Sequence, residues 1–296
     1  MSSTILHRVQ LFLTEANKAS VPVSSTIIDE FGQACKEAFR KQFTDTREDK
    51  FRFRMSSIGR PLCQLQMEHN GAEREPMPYN AKMRNLFGDL IEAAAIAIMQ
   101  SAGINIESKQ KKVTHKFNGD SINGSYDVKI EGRVWDIKSA SPLSFEYKFG
   151  EKGGFDTIAK KDDFGYVTQG YLYSNAEGCD FGGWIVINKS TGEWCLTETP
   201  IADGEYNKNA IQMAEDNIKA LKNNDEFKRC FTDSEEFFNK KPTGNRILGT
   251  TCGFCPYKKA CWGESLQYLP QQQSKAMNPK WYWYTDVQNP RVEDEN

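Results

Sequence analysis

Gly124-Ser125-Tyr126-Asp127-Val128-Lys129-Ile130-Glu131-Gly132-Arg133-Val134-Trp135-Asp136-Ile137-Lys138 is the stretch whose reading decides the fold. Glu131-Gly132 reads as a two-residue hairpin turn, which sets Asp127 directly opposite Asp136. Tyr126, Val128, Ile130, Trp135 and Ile137 then share the apolar face, and Lys138, two residues beyond Asp136, lies on the aspartates' side.

Opposed carboxylates have β-carbons about 4.5–5.5 Å apart, and such a pair is destabilising unless a cation sits between its members. On the hairpin alone two readings stay open. In one, the aspartates hold Mg²⁺ or Mn²⁺, which prefer hard oxygen ligands, and Lys138 orients or helps activate a water. In the other, the face is simply solvated, with Lys129 and Lys138 neutralising Asp127 and Asp136.

Working outward, the chain has 296 residues, 39% of them hydrophobic, enough for a substantial core in one large domain or two small ones. There is no apolar run of membrane-spanning length and no export signal, so the expectation is a cytoplasmic protein of a bacterium or a phage-infected host, with no membrane partner. A formal charge of −2 neither demands nor excludes a nucleic-acid partner, because phosphate recognition depends on local clusters. Arg52, Arg54 and Arg60 form one such cluster, Lys109, Lys111 and Lys112 a second, and Lys258 with Lys259 a third.

Hydrophobic periodicity predicts helices over 4–18 and 24–43, the second opened by Ser24-Ser25 and carrying Ile27, Ile28, Phe31, Ala34, Ala38 and Phe39 as an apolar stripe. A longer helix is expected from Lys82 to Ala102, ended by Gly103. Strands follow at about 104–117 and in the hairpin, then a helix capped by Asp162 or Asp163 and running to Asn175. A second hairpin turns at Lys189-Ser190-Thr191-Gly192, and a last helix spans Gly204 to Asn223. The result is a mixed sheet framed by helices. The tail from Leu269 onward, with Lys280-Trp281-Tyr282-Trp283-Tyr284, reads as loosely organised; its aromatics can stack on bases or dock a partner, with burial against the main body the plainer reading.

Two further pairs fit the hairpin chemistry. Gly88 and Glu92 share a face of the long helix, and Glu92 is the polar exception before Ala93-Ala94-Ala95-Ile96. It can supply a third metal carboxylate or be an ordinary exposed glutamate. Gln169 and Tyr173, also four apart on a helix, can contact a phosphate or support the lysine.

The eight cysteines, in a chain without a secretory signal, point towards metal or redox chemistry for some of them. Cys252, Cys255 and Cys261 crowd into one C-x2-C-x5-C stretch. Cys35, Cys179, Cys195 and Cys230 stand alone and read as packing residues.

In this order, Glu92, Asp127, Asp136-Ile137-Lys138, then Gln169 and Tyr173 as Q-x-x-x-Y, the chain closely resembles the RecB-like branch of the PD-(D/E)XK nucleases over about residues 90–175. Many RecB-like members have histidine where Glu92 falls, whereas lambda-type exonucleases carry glutamate. Cys63 ahead of the motifs and the cysteine triplet after them resemble the iron–sulfur nucleases, including AddB and the fourth family of CRISPR-associated proteins.

The resemblance implies an α/β restriction-endonuclease-like core with a mixed central sheet flanked by helices. It divides the chain into an N-terminal helical region (1–50), a nuclease core (51–245) and a cysteine-rich segment with the tail (246–296). It implies Glu92, Asp127, Asp136 and the carbonyl of Ile137 as ligands of Mg²⁺ or Mn²⁺, Lys138 as the residue that positions or helps deprotonate the water, and Gln169 and Tyr173 as residues that orient the strand and the lysine. Cys63, Cys252, Cys255 and Cys261 would hold a structural [4Fe–4S] cluster, zinc being the alternative for four thiolates. Arg60 would contact a DNA phosphate.

The implied activity is metal-dependent DNA hydrolysis, an exonuclease at duplex ends or on single strands. The rival readings are a non-catalytic DNA-binding accessory of recombination and a CRISPR spacer-processing subunit that works with an adaptation partner.

Overall fold

The computed structural model describes residues 2–45, 51–117 and 119–291. The chain forms two compact units, one from Met1–Arg60 with Pro78–Lys219, the other from Pro61–Met77 with Ala220–Asn296. This division differs from the three consecutive segments expected from sequence. The N-terminal helices belong to the first unit, and residues 61–77 leave the nuclease segment to join the C-terminal part.

The first unit begins with α1 (Ser2–Lys18) and α2 (Ser25–Phe43), then the short α3 (Met55–Ile58) and the long α5 (Ala81–Ser101); α4 (Leu62–His69) lies in the second unit. Ser24 caps α2 by accepting the Thr26 N–H, and Gly103 follows α5 at φ +73°, the left-handed stop its sequence predicts. Five strands follow: β1 (Ile106–Phe117), β2 (Asp120–Ile130), β3 (Arg133–Ala140), β4 (Asp180–Asn188) and β5 (Trp194–Glu198), ordered β1-β2-β3-β4-β5. All neighbours are antiparallel except β3 and β4, which run parallel. The connection between those two holds α6 (Pro142–Ser144), a π-helical turn (Phe145–Phe149), α7 (Phe155–Lys160) and α8 (Tyr166–Glu177), and α9 (Gly204–Lys222) follows the sheet. This is a mixed α/β fold whose five-stranded mixed sheet is flanked by helices.

One face of the sheet packs Val128, Ile130, Trp135, Ile137, Ile185 and Ile187 against Ile5 and Val9 of α1 and Ala95, Ile96 and Met99 of α5. The other face packs Trp184 and Val186 against Phe155, Val167 and Tyr171. Burial on both faces explains why β4 reads as the unbroken apolar run Trp184-Ile185-Val186-Ile187 and not as an alternation. Each such side chain contributes roughly 1.5–3 kcal/mol. The indole N–H groups of Trp135 and Trp184 are buried without a partner, which returns about 1–3 kcal/mol apiece. Gly170 lets α8 lie close on β4, since a β-carbon there would stand 2.2 Å from the Phe181 ring.

Two expectations change. The α2 stripe is not a core face, because Ile28 and Phe39 are 57% and 54% exposed and only Ala38 and Gln42 are buried. The predicted helix cap lies a turn early: α8 starts at Tyr166, and Asp162 reaches forward to accept the Tyr166 and Val167 N–H groups at 2.7 and 2.8 Å.

The second unit contains α4, a four-stranded sheet ordered β6-β7-β9-β8, and the short helices α10 (Thr250–Phe254) and α11 (Lys258–Trp262). Its strands are β6 (Ser234–Phe238), β7 (Lys241–Ile247), β8 (Gln267–Pro270) and β9 (Trp281–Asp286). The tail expected to be loose supplies β8 and β9, paired antiparallel from Gln267↔Tyr284 to Pro270↔Trp281. The sequence signal was hidden because Trp281 to Tyr284 are all aromatic, so no polar alternation marks the strand. Gln66 ties α4 to the later chain by donating to Asp225 O at 2.9 Å. Among the described residues, no helix is long and apolar enough to cross a membrane.

Candidate active site

The hairpin forms in the expected register. Glu131 and Gly132 both have positive φ, 51° and 73°, and Val128 pairs Trp135, Lys129 pairs Val134 and Ile130 pairs Arg133. The backbone ladder ends one step before Asp127 and Asp136. There the Asp127 carboxylate replaces a backbone acceptor, taking the Ile137 N–H at 2.6 Å.

The solvated-face reading fails at Asp136, which is 2% exposed. Lys138 Nζ stands 2.6 Å from Asp136 Oδ2, yet that oxygen accepts no aligned hydrogen bond. Gln169 Nε2 donates to Asp136 Oδ1 at 3.3 Å and to the Tyr173 hydroxyl at 3.2 Å. Tyr173 is itself 3% exposed, so it braces Gln169 from inside and offers no outer surface to DNA. Gly124 makes room for it: a β-carbon there would stand 2.4 Å from Tyr173 Cε1. Lys129, the other expected neutraliser, turns to Glu107 and Glu177 instead, at 3.7 and 3.5 Å.

Glu92 is half-buried on α5 and accepts a hydrogen bond from Gln110 Nε2 at 3.0 Å. With Asp127 it lines a cleft of about 580 Å³ whose rim carries Arg40, Lys41 and Lys112. Lys41 is paired with Asp89 at 2.7 Å. Burial, more than the nearby Asp136, raises Glu92 above the usual carboxylate range. Asp127 is raised well above it, first by burial and then by the charges of Asp136 and Glu92. Burial alone would lower the Lys138 ammonium, but Asp136 and Asp127 outweigh it and keep the amine protonated beyond the usual lysine range.

Sequence reasoning passed over three residues here. Gln110, on β1, adopts φ +47°, a left-handed geometry unusual for a non-glycine residue inside a strand, while its amide reaches Glu92. Nothing in its sequence context marks it. Tyr166 is flanked by two ammonium groups, Lys138 Nζ at 4.9 Å and Lys148 Nζ at 4.3 Å from the ring centroid. Burial, above all, lowers Lys148. The Arg60 guanidinium is near enough to act on Tyr166, and the Arg60 carbonyl is held by Asn217 Nδ2 at 3.2 Å. Of the other basic clusters, Lys109 and Lys111 are engaged by Glu30 and Glu177 at 2.5 and 2.8 Å.

In the second unit Cys63, Cys252, Cys255 and Cys261 border one cavity. Cys230, taken from sequence as a packing residue, is exposed and accepts the Cys63 N–H at 3.1 Å. Its isolation in sequence concealed this, because Cys63 and Cys230, 167 positions apart, meet only in the fold. Hydrogen bonds from Cys63 favour the thiolate at Cys230 and keep Cys63 protonated. Burial pushes Cys252 up to about 11. Arg229 holds the Cys261 carbonyl through two hydrogen bonds, 3.0 and 2.8 Å.

Among the described residues no three His, Cys, Asp or Glu side chains converge closely enough to hold one metal ion. The donor chemistry nevertheless suits a cation at each place. In the first unit Asp136 is buried against Lys138, and Asp127 and Glu92 are raised by burial and like charge. In the second, Cys63, Cys252, Cys255 and Cys261 line one cavity, and thiolates are ligands that iron and zinc both accept.

No protein-family model and no curated protein matches the sequence. Among solved structures, one of a protein named SSO0001 is 13% identical with a TM-score of 0.42, covering 78% of this chain and 95% of that one. Another, of a candidate exonuclease from Eubacterium rectale, is 16% identical with a TM-score of 0.36, covering 71% and 91%. Likeness at these scores carries no argument about activity.

Proposed function

We propose that this chain is a metal-dependent DNA nuclease with a restriction-endonuclease-like core, hydrolysing phosphodiester bonds at DNA ends or in single strands. The observation that carries the reading is the pairing of Asp136 with Lys138 beside Asp127, with Glu92 and a basic rim on the adjoining cleft.

Glu92, Asp127, Asp136 and the Ile137 carbonyl would hold Mg²⁺ or Mn²⁺, which when bound offsets phosphate charge and acidifies an attacking water. Lys138, held as an ammonium, orients the water and stabilises negative charge developing on the phosphate oxygens. Gln169 fixes the Asp136 carboxylate and is itself fixed by Tyr173. Arg40 and Lys112 on the rim, with Arg60 and Lys148 near Tyr166, supply cations for the DNA backbone. Cys63, Cys252, Cys255 and Cys261 would hold a structural [4Fe–4S] cluster, fastening the early and late segments of the second unit.

The test is digestion of end-labelled single- and double-stranded DNA with Mg²⁺, with Mn²⁺ and without either, alongside iron and sulfide analysis of anaerobically purified protein. Cleavage that requires the metal and disappears in Asp136→Ala and Lys138→Ala is the expected result. Full activity in both variants would overturn the assignment, and stoichiometric zinc without iron would overturn the cluster alone.

A further inference from the structure

The β8–β9 hairpin has two aromatic faces with different fates. Tyr284 is 1% exposed; its hydroxyl donates to the buried Glu236 at 2.6 Å and accepts the Gln272 N–H at 3.2 Å. Glu236 also accepts from Asn245 and Thr243, at 2.9 and 2.8 Å, so Tyr284 and Glu236 are both used by the fold. The opposite face presents Tyr268, Trp281 and Trp283. Tyr268 is paired across the strands with Trp283 and diagonal to Trp281, with ring centroids 4.8 and 5.2 Å away. Tyr268 and Trp281 are 51% and 52% exposed.

The three rings pack on one another in a row: Tyr268 leans on both indoles, Trp283 is half-buried beneath two lysines, and the half-exposed surfaces of Trp281 and Tyr268 are the part left to water. Cations sit at one end of the row: Lys258 and Lys259 stand 4.8 and 5.8 Å from the Trp283 ring centroid, sharing the single carboxylate of Glu75, with Lys259 the more exposed of the two. Rings with flanking lysines match the two needs of an unpaired strand: faces on which bases stack and positive charge along the backbone. Within a duplex the bases are already stacked on each other, so only its ends and phosphates can meet such a face.

We infer that Tyr268, Trp281 and Trp283 form a stacking platform for single-stranded DNA, with Lys259 beside Trp283 meeting its phosphates. The inference rests on the DNA substrate proposed above and adds a strand preference carried by the second unit alone.

The experiment measures binding of a fluorescein-labelled oligothymidylate of about 12 nucleotides to the full chain without divalent metal, by anisotropy and tryptophan quenching. Tyr268→Ala and Trp281→Ala are each expected to weaken binding about tenfold, while Trp281→Phe, which keeps a ring, stays within about threefold of wild type. The dependence on salt should be unchanged in the ring variants and reduced by about one phosphate contact in Lys259→Gln. An abasic strand of the same length should bind wild type weakly and be indifferent to the ring substitutions. Circular dichroism checks that each variant is folded. Unchanged affinity in both alanine variants would overturn the platform and leave the face to a protein partner. If wild type cleaves DNA with metal while those variants bind normally, the platform falls and the nuclease reading stands; if wild type neither binds nor cleaves DNA, both fall.

Discussion

The carboxylates of the first unit and the cysteines of the second are assembled in opposite ways. Asp127, Asp136 and Lys138 lie within one hairpin, so the register set by the turn at Glu131-Gly132 places them close together. The cysteines come from α4, from the segment near Cys230 and from the α10–α11 region, and meet only when the second unit has folded. The first arrangement crowds carboxyls so that burial and its neighbours oppose ionisation of Asp127, beside a lysine kept protonated. The second is made of half-buried thiols, of which burial keeps Cys252 protonated while Cys230, exposed, leans towards the thiolate; a bound metal would convert the protonated ones to thiolates with release of protons. A hairpin can impose geometry that its side chains resist, whereas a tertiary cluster depends on whatever closes it.

The largest expected effect falls on the hairpin site. Asp136→Ala should reduce metal-dependent cleavage by about a thousandfold or more with the fold intact, read as single-turnover rate against far-UV circular dichroism. In the cysteine cluster the consequence should be the reverse. Cys255→Ser is expected to bring bound iron and sulfide to background and to strip hydrogen-exchange protection from Pro61–Met77 and Ala220–Asn296, leaving protection in the five-stranded sheet. Loss of protection in both units alike would erase the distinction between them.

The same difference decides what was legible in the sequence. Hairpin register, strand alternation and i to i+4 spacing are local, so Asp127, Asp136, Lys138 and the Gln169–Tyr173 pair could be placed from short stretches. Cys252, Cys255 and Cys261 were visible as spacing. Cys230 was not, because its partner lies 167 residues away. Gln110 was hidden because its role depends on a backbone φ that its neighbours do not announce. The exposed aromatics of α2 misled for a related reason: periodicity reports an apolar stripe but not whether the fold covers it. Residues 61–77 could not be assigned to the second unit by composition, since what holds them are bonds such as Gln66 to Asp225 and Glu75 N–H to Pro256 O, at 2.9 and 2.8 Å.

A smaller effect probes the support behind the hairpin site. Gly124→Ala would set a methyl 2.4 Å from Tyr173 Cε1 and 2.9 Å from Met55 Sδ, an overpacking worth about 1–3 kcal/mol. Because Tyr173 fixes Gln169 and Gln169 fixes Asp136, cleavage should fall with stability, by about tenfold. Urea denaturation and initial rates on one preparation test this, and a stability loss with full activity would show that Asp136 does not need the brace.

The smallest expected change has the opposite sign. Asp127 is raised by burial and by Asp136 and Glu92, so without metal its charged form opposes folding. A carboxyl whose folded pKa exceeds its unfolded value contributes stability that is present below the unfolded range and is lost as pH rises through the folded one. Asp127→Asn removes that loss. The metal-free variant should therefore melt above wild type at neutral pH, by about 2–4 °C, the shift expected from one kcal/mol in a domain of this size. The gap should widen as pH rises above the ordinary carboxylate range. Millimolar Mg²⁺ should reverse the order, since only wild type retains the full carboxylate set and gains stability by binding. A melting difference that stays flat as pH rises, or that Mg²⁺ leaves untouched, would mean that Asp127 carries no charge held against its neighbours.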